Sequence, residues 1–293
     1  MTPKASIIIP HYNDIVRLRR CLDALLDNTA ELLAQIEIVV ADNGSTVDIS
    51  GLQTAYPQVR FLVEHQKGAA HARNAGVAAT TAERLAFIDS DCLPSAGWLA
   101  RVLETPLPDG NGVVGGLVDT FDETPGPRSG AEAFERVFAF DFETYITKKN
   151  FTGSGNMVTT RATFEAVGPF HNGLSEDVEW SHRAIAKGYR IQYDETLAVS
   201  HPTRSDWAAL KKKWQRTTQE GFALRGNSLK ARILWAIRAG IVLFSGPVHL
   251  PKLIGSPKLG SIGERLRGAG TLLRLRVQRA IWMLAQAAGR SIA

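Results

Sequence analysis

A chain of 293 residues with 44% apolar and 22% charged side chains can bury one large core, or a core with an appendage, which excludes bulk disorder. Its two cysteines, Cys21 and Cys92, lie far apart, which excludes a disulfide framework and fits a reducing compartment. The net charge of +5 hides a division: residues 1–206 carry 18 Lys and Arg against 27 Asp and Glu (net −9), whereas residues 207–293 carry 16 against 2 (net +14), so the basic segment is expected to meet an anionic partner, lipid or nucleic acid.

The N-terminus holds a single cation, Lys4, ahead of a short apolar run, so no secretory leader is expected. Ser6–Pro10, Ile36–Ala41, Val59–Glu64 and Arg84–Ile88 are apolar, β-branched runs that predict buried strands. Between them, Asp14–Leu26 places Ile15, Leu18, Leu22 and Leu25 at helical spacing behind a cap at Asn13 or Asp14, and Gly68–Ala79 predicts a helix of small residues. Alternating strands and helices predict an α/β fold with a mostly parallel central sheet flanked by helices. Residues 105–130, rich in Pro and Gly, read as a long surface loop. Asp177–Lys187 predicts a helix, and Gly188–Tyr193 and Leu197–Ser200 predict strands.

Past Asp206 the character changes. Lys211–Arg216 opens a basic helix. Ile233–Ile254 is apolar but interrupted by Arg238, Pro247, His249, Pro251 and Lys252, which leaves it short of a clean membrane span. Ile262–Gly289 repeats apolar residues at 262, 266, 269, 273, 277, 280 and 284, with arginines at 265, 267, 274, 276 and 279 beside that stripe. This is the pattern of a basic amphipathic helix in a membrane interface, and a helix docked on protein is the alternative. Trp207, Trp214 and Trp235 accompany the positive charge, yet no nucleic-acid-binding motif does, so no nucleic-acid partner is expected.

Ligands of such a sheet bind beyond the carboxyl ends of its strands. Three polar clusters fall there: His11-Tyr12-Asn13, Asp42-Asn43-Gly44-Ser45 and Asp89-Ser90-Asp91. Two carboxylates one residue apart at a turn can present oxygens to a hard divalent cation, and a cation that bridges a diphosphate needs few protein ligands. Alone, Asp89-Ser90-Asp91 is as readily a turn that caps the next helix. Cys92 beside it has no partner for nucleophilic chemistry and reads as a small buried filler.

Ser6-Ile-Ile-Ile-Pro-His-Tyr-Asn13, Val39-Val-Ala-Asp-Asn-Gly-Ser45, Gly68-Ala-Ala-His-Ala-Arg-Asn-Ala-Gly76, Phe87-Ile-Asp-Ser-Asp91 and Ser175-Glu-Asp177 occur in this order. With these motifs the chain resembles the family 2 glycosyltransferases over about residues 4–205. The resemblance implies a GT-A-type nucleotide-sugar-binding fold. It also implies inverting transfer from a nucleoside-diphosphate sugar, usually uridine-linked, with a divalent metal, Mg or Mn. On the donor side it places Asp42 on the nucleobase, Pro10, Tyr12 and Asn13 around it, and Arg73 against the Asp89 and Asp91 carboxylates or the diphosphate. Asp89 would take ribose or sugar hydroxyls, and Asp91 the metal. His201 would be a further metal ligand, and Arg204 of the same loop would reach the diphosphate. Gly155 and Asn156, with Glu176 and Trp180, would face the acceptor. For Tyr12 plain packing, for Trp180 a place in the core, and for His201 an ordinary loop position stay equally open.

An inverting displacement needs one base for the acceptor hydroxyl, opposite the leaving diphosphate. The resemblance gives that role to Asp177. A carboxylate near other negative charge can have its pKa raised toward the task, while the helix N-terminus opposes the shift. The resemblance thus makes 1–206 a catalytic domain, with 207–293 a basic helical C-terminal appendage. Lys213-Trp-Gln-Arg216 does not match the Gln-x-x-Arg-Trp pattern of processive synthases, which implies one sugar per encounter. A basic tail at an anionic membrane surface fits a glycan or lipid-linked acceptor and a cytoplasmic enzyme peripheral to the inner face of the cell membrane. A soluble acceptor, or a module that has lost catalysis, are the alternatives, the latter disfavoured because Asp91 and Asp177 are both present.

Overall fold

The computed structural model describes residues 2–173 and 175–292. Its first part alternates strand and helix: β1 (Ala5–His11), α1 (Ile15–Leu26), α2 (Ala30–Leu33), β2 (Ile36–Asp42), α3 (Ser50–Ala55), β3 (Val59–Val63), α4 (Ala69–Ala78) and β4 (Arg84–Ile88). Strands β3, β2, β1 and β4 pair in parallel, in that order. Every residue of β1 is buried, as a strand covered on both faces requires. Helix α1 buries Leu18, Cys21, Leu22 and Leu25 and is capped by Asp14, whose carboxylate accepts from the Arg17 amide at 3.2 Å. Helix α4 packs on β1 through Gly76, where an added Cβ would lie 2.6 Å from Ile8 Cγ2.

The chain continues through β5 (Leu93–Pro94), α5 (Trp98–Glu104), β6 (Val113–Phe121), α6 (Gly130–Phe138), α7 (Phe142–Lys149), β7 (Asn156–Thr160), α8 (Arg161–Val167), α9 (Glu176–Ala186) and β8 (Ile191–Pro202). The parallel block passes at β4 into antiparallel β7, and the sheet order is β3-β2-β1-β4-β7-β6-β8-β5. The α/β expectation therefore holds, and two details differ. Residues 105–130 are not one loop, because β6 runs through them as an inner strand. Its Gly115-Gly116 pair, read as loop chemistry, makes room for Thr152 and Asn156. The two strands expected after Gly188 are one strand, β8.

Three helices end the chain: α10 (Trp207–Ala223), α11 (Leu229–Ile254) and α12 (Ile262–Ala287). The molecule divides into one compact unit of residues 1–119 and 141–201 and a second of 120–140 and 202–293. In this division the second unit takes up the chain again at Pro202, and α6 belongs with the C-terminal helices. Its Phe134 joins Leu253, Leu272 and Leu275 in one core. Helices α11 and α12 form an antiparallel hairpin, with Trp235 Nε1 donating to Gln286 Oε1 at 3.0 Å and Gly246 seated against Leu273.

The large residues of the α12 stripe face outward, Ile262, Leu266, Val277 and Leu284 being 47–77% exposed, whereas its Ala280 is buried and Gly268, Leu272, Leu275 and Met283 make the packed face. On α11, Ile233, Ile237, Ile241, Phe244 and Val248 form a second exposed stripe. Helix α11 runs unbroken through Pro247 and Pro251, and by length and mean hydropathy (1.5) it is long and apolar enough to cross a membrane.

Candidate active site

The register of β1 against β2 sets His11 opposite Asp42, so the first two polar clusters share one sheet edge. Asp42 is buried, and Asn13 is bent into the left-handed region (φ 59°). The Asp42 carboxylate accepts from His11 Nδ1 at 2.8 Å, from the Ser45 amide at 2.9 Å and from the Ser45 hydroxyl. His11 Nε2 accepts from the Asp14 amide at 3.1 Å, so the ring is the neutral Nδ1–H tautomer. Asn13 ties the two loops together: its amide donates to Ser45 Oγ and its Oδ1 accepts from Thr46 N, both at 2.8 Å. Pro10 is buried within β1, and Tyr12 is the exposed ring of this cluster, at 50%. His11 went unassigned in the sequence. Its signal was a polar ring that would become buried at a strand end.

The third cluster sits one strand away, after β4. Arg73, buried on α4, donates from Nη2 to Asp89 Oδ1 at 2.6 Å and from Nη1 to Glu176 Oε1 at 3.1 Å. One guanidinium therefore spans from the end of β4 to the start of α9. Its Nε is buried and has no hydrogen-bond partner among the described residues. Gly155 lets Asp89 lie close, since an added Cβ would be 2.5 Å from Asp89 Oδ2. Asp91 Oδ2 lies 3.3 Å from His201 Nε2, at the end of β8.

Asp177 follows Glu176 on α9. Burial pushes its carboxyl up to about 6, the neighbouring Glu176 charge adds to this, and the Val178 amide and Arg73 oppose it. Gly153 fits between the Phe142 ring and Asp177: an added Cβ would stand 2.7 Å from Phe142 Cζ and 3.5 Å from Asp177 Oδ2. Tyr145 stacks on Phe151 with ring centroids 5.1 Å apart, and its phenol is raised by burial and by the charges of Asp141 and Asp177. These aromatics of α7 and the following loop, unmarked in the sequence, line the surroundings of Asp177.

Three expected site residues are placed elsewhere. Trp180 is fully buried, donates to Gly168 O at 2.9 Å and packs on Phe164 and Phe170, so it offers no face to a sugar. Asn156 is also fully buried. Its amide donates to Leu117 O and Leu197 O, and its carbonyl accepts from Trp98 Nε1, so its hydrogen bonds brace the sheet rather than an acceptor. Arg204 lies in the second unit, where its Nη1 and backbone amide both donate to buried Glu135, at 3.0 and 2.8 Å. Cys92 is the expected buried filler, and burial raises its thiol well above the usual range.

Among the described residues, no cluster of three or more His, Cys, Asp or Glu is arranged to hold a metal. The Asp91–His201 pair is nevertheless compatible with two adjacent positions of one shell. Ligands bound at 2.0–2.2 Å in octahedral geometry lie about 3 Å apart, and diphosphate oxygens and water complete the coordination of such cations.

A parallel βαβ block with polar and acidic loops at its carboxyl edge, a guanidinium among carboxylates and a half-buried carboxylate on α9 define a nucleotide-sugar-binding α/β enzyme. The comparisons with known proteins agree. The family described as Glycosyl transferase family 2 matches residues 6–167. Glycosyltransferase AglE of Haloferax volcanii is 34% identical over 221 residues, covering 73% of this chain and 71% of that protein. The pre-mycofactocin glycosyltransferase of Mycobacterium tuberculosis is 28% identical over 261 residues; these are 80% of this chain but about half, 53%, of that protein's length. Among solved structures, the mannosyltransferase PcManGT from Pyrobaculum calidifontis in complex with GDP-Man and Mn2+ aligns with 100% of this chain and 77% of its own, at a TM-score of 0.54 and 17% identity. The chain belongs to glycosyl transferase family 2, and its fold is of the GT-A type. It is a glycosyltransferase that acts on a nucleotide sugar.

Proposed function

We propose that the enzyme transfers one sugar, with inversion, from a nucleoside-diphosphate sugar to a hydroxyl of a lipid-linked or cell-envelope glycan, with Asp177 as the base. The observation that carries this reading is the bridge of Arg73 between Asp89 and Glu176, which holds the donor-side and acceptor-side carboxylates around one guanidinium. Tyr12 offers the nucleobase an exposed ring beside Asp42, which has lone pairs beyond those it uses for His11 and Ser45 and suits the N–H of a uracil. Asp89 takes ribose or sugar hydroxyls, with its carboxylate held by buried Arg73. Asp91 and His201 would hold a Mg or Mn ion, which when bound supplies positive charge against the departing diphosphate. Asp177 takes the proton of the acceptor hydroxyl. Its raised proton affinity, with a value about 6, keeps it ionised at neutral pH and makes it a stronger base than an ordinary carboxylate.

The second unit, in this reading, holds the enzyme peripherally at the anionic inner face of the membrane, through the basic segment 207–293 and the exposed stripes of α11 and α12. An anchored enzyme searches a surface for its acceptor, which favours a lipid-linked one.

The test is Asp177→Asn. Turnover is expected to fall by about 10²–10⁴-fold, the usual worth of a general base. Calorimetric affinity for the nucleotide sugar should stay within about threefold of wild type, since uniform donor binding does not involve this group. Retained turnover sinks the assignment of the base. Retention of the donor's anomeric configuration in the product, read by NMR, sinks the inverting mechanism.

A further inference from the structure

Helices α11 and α12 carry a group of cations that the transfer reaction does not use. The Nε atoms of Arg276 and Arg279 are buried and have no hydrogen-bond partner among the described residues. Arg279 lies over the Trp214 ring, 4.3 Å from its centroid, and Arg276 packs beside Gly246 of α11. Burial, then the charges of Arg276 and Arg238, push the Arg279 guanidinium down to about 10. Among the described residues no carboxylate is paired with Arg238, Arg276 or Arg279. Residues 207–293 hold only two acids: Glu264 accepts from Arg128 at 3.1 Å, and Glu220 lies 3.7 Å from Arg216. Partly buried guanidinium groups without a counter-charge are costly, and a phosphate matches the guanidinium fork by charge and by shape.

The surroundings say which phosphate. Arg276 adjoins Val277 and is one turn from Leu273, both on the exposed apolar stripe of α12, and Arg238 adjoins Ile237 on that of α11. A phosphate held here would sit where apolar surface begins, as a lipid head group does. We propose that Arg276 and Arg279, with Arg238, form a binding site for the phosphate of an anionic lipid head group. This deepens the membrane reading given above and rests on it.

The full chain is tested by sedimentation with vesicles of phosphatidylcholine, alone or mixed with phosphatidylglycerol. Wild type is expected to bind the mixed vesicles more tightly. The double variant R276Q/R279Q should bind them about thirtyfold more weakly, since each cation at such a surface contributes about 1 kcal/mol. The exposed pair K211Q/K212Q on α10 removes the same charge and should lose far less. A thermal shift with nucleotide sugar shows that each variant is folded. If the glutamine pair is unfolded, R276K/R279K, which keeps the charge and loses the fork, should still bind at least about threefold more weakly than wild type. Equal losses for the two glutamine pairs would mean diffuse attraction, and would overturn the site while leaving the membrane reading intact. Equal binding of wild type to both vesicles overturns the site alone, and binding to neither overturns the membrane reading as well. A concentration-dependent dimer that Phe244→Ser dissolves would give the apolar stripes to a second copy of the chain, and would overturn the proposal.

Discussion

At the scale of single residues, Asp177 is where the proposed function and stability oppose each other. Its value in the folded chain, about 6, lies above the ordinary 3.8. Between those values the folded chain keeps a proton that the unfolded chain has released, so stability falls as pH rises through that window. At neutral pH the ionised group costs about 3 kcal/mol, because each tenfold rise in proton affinity corresponds to about 1.4 kcal/mol. Asp177→Asn removes the half-buried charge and retains an oxygen for the Val178 amide, so this variant should melt at a higher temperature than wild type at neutral pH. Below about pH 3, where folded and unfolded chains are both neutral at this position, the difference should vanish. On the proposed role of Asp177 as base, wild-type activity should decline as pH is lowered through about 6, with the loss following its protonation. Melting curves and rates across that range check both expectations, and an Asn variant no more stable than wild type would remove the argument from burial. Asp177 was marked in the sequence by the resemblance alone, because an acid pair at a helix start serves equally well to cap the helix. Trp180, three residues on, could not be assigned, since a tryptophan serves a core and a sugar site equally well and only its complete burial decides.

At the scale of elements, the parts legible in the sequence are those whose pattern is local. Strands β1, β2 and β4 announce themselves as apolar runs, and the acidic turns after them mark the functional edge. Strand β6 does not, because its glycines are dictated by neighbours distant in the chain: Leu197 and Asn156 crowd Gly116, and Thr152 and Ile146 crowd Gly115. Helix α4 allows a test of such close packing with a control. At Gly76 an added methyl would meet Ile8 within the buried contact of α4 and β1, so Gly76→Ala is expected to destabilise by about 1–3 kcal/mol. It should also weaken donor binding, since Arg73 lies one turn earlier on the same helix. At Gly51, on α3, nothing lies within 4 Å of the added methyl, and Gly51→Ala should be neutral or stabilising by up to about 1 kcal/mol. Denaturant midpoints and calorimetric donor titration of the two variants separate a packing requirement from the general effect of helical glycine. Equal midpoints would show that β1 and α4 can move apart freely.

At the scale of the whole molecule, the division of charge was legible in the sequence and the division of structure only partly so. The jump from −9 to +14 locates the appendage, but α6 is drawn into the second unit by Phe134 and its neighbours, which no compositional change marks. Periodicity found the stripe of α12 without revealing which way it faces, because an apolar stripe looks the same whether it covers a core or awaits a bilayer. Exposure shows that the stripes do not cover this chain's own core: Phe244, Val248 and Leu266 are 67–75% exposed. Burying each such side chain contributes about 1.5–3 kcal/mol, and salt does not screen that contribution. The attraction of the basic segment to anionic lipid, by contrast, fades as the Debye length shortens from about 30 Å at 0.01 M salt to about 3 Å at 1 M. On the proposed membrane reading, raising the salt should therefore weaken binding to phosphatidylglycerol-containing vesicles until it equals the binding to phosphatidylcholine, and then go no further. Flotation across a salt series measures that plateau. Complete release at high salt would mean that the stripes never enter the lipid and that charge alone holds the chain. Binding indifferent to salt would mean that the +14 segment is not turned toward the surface at all.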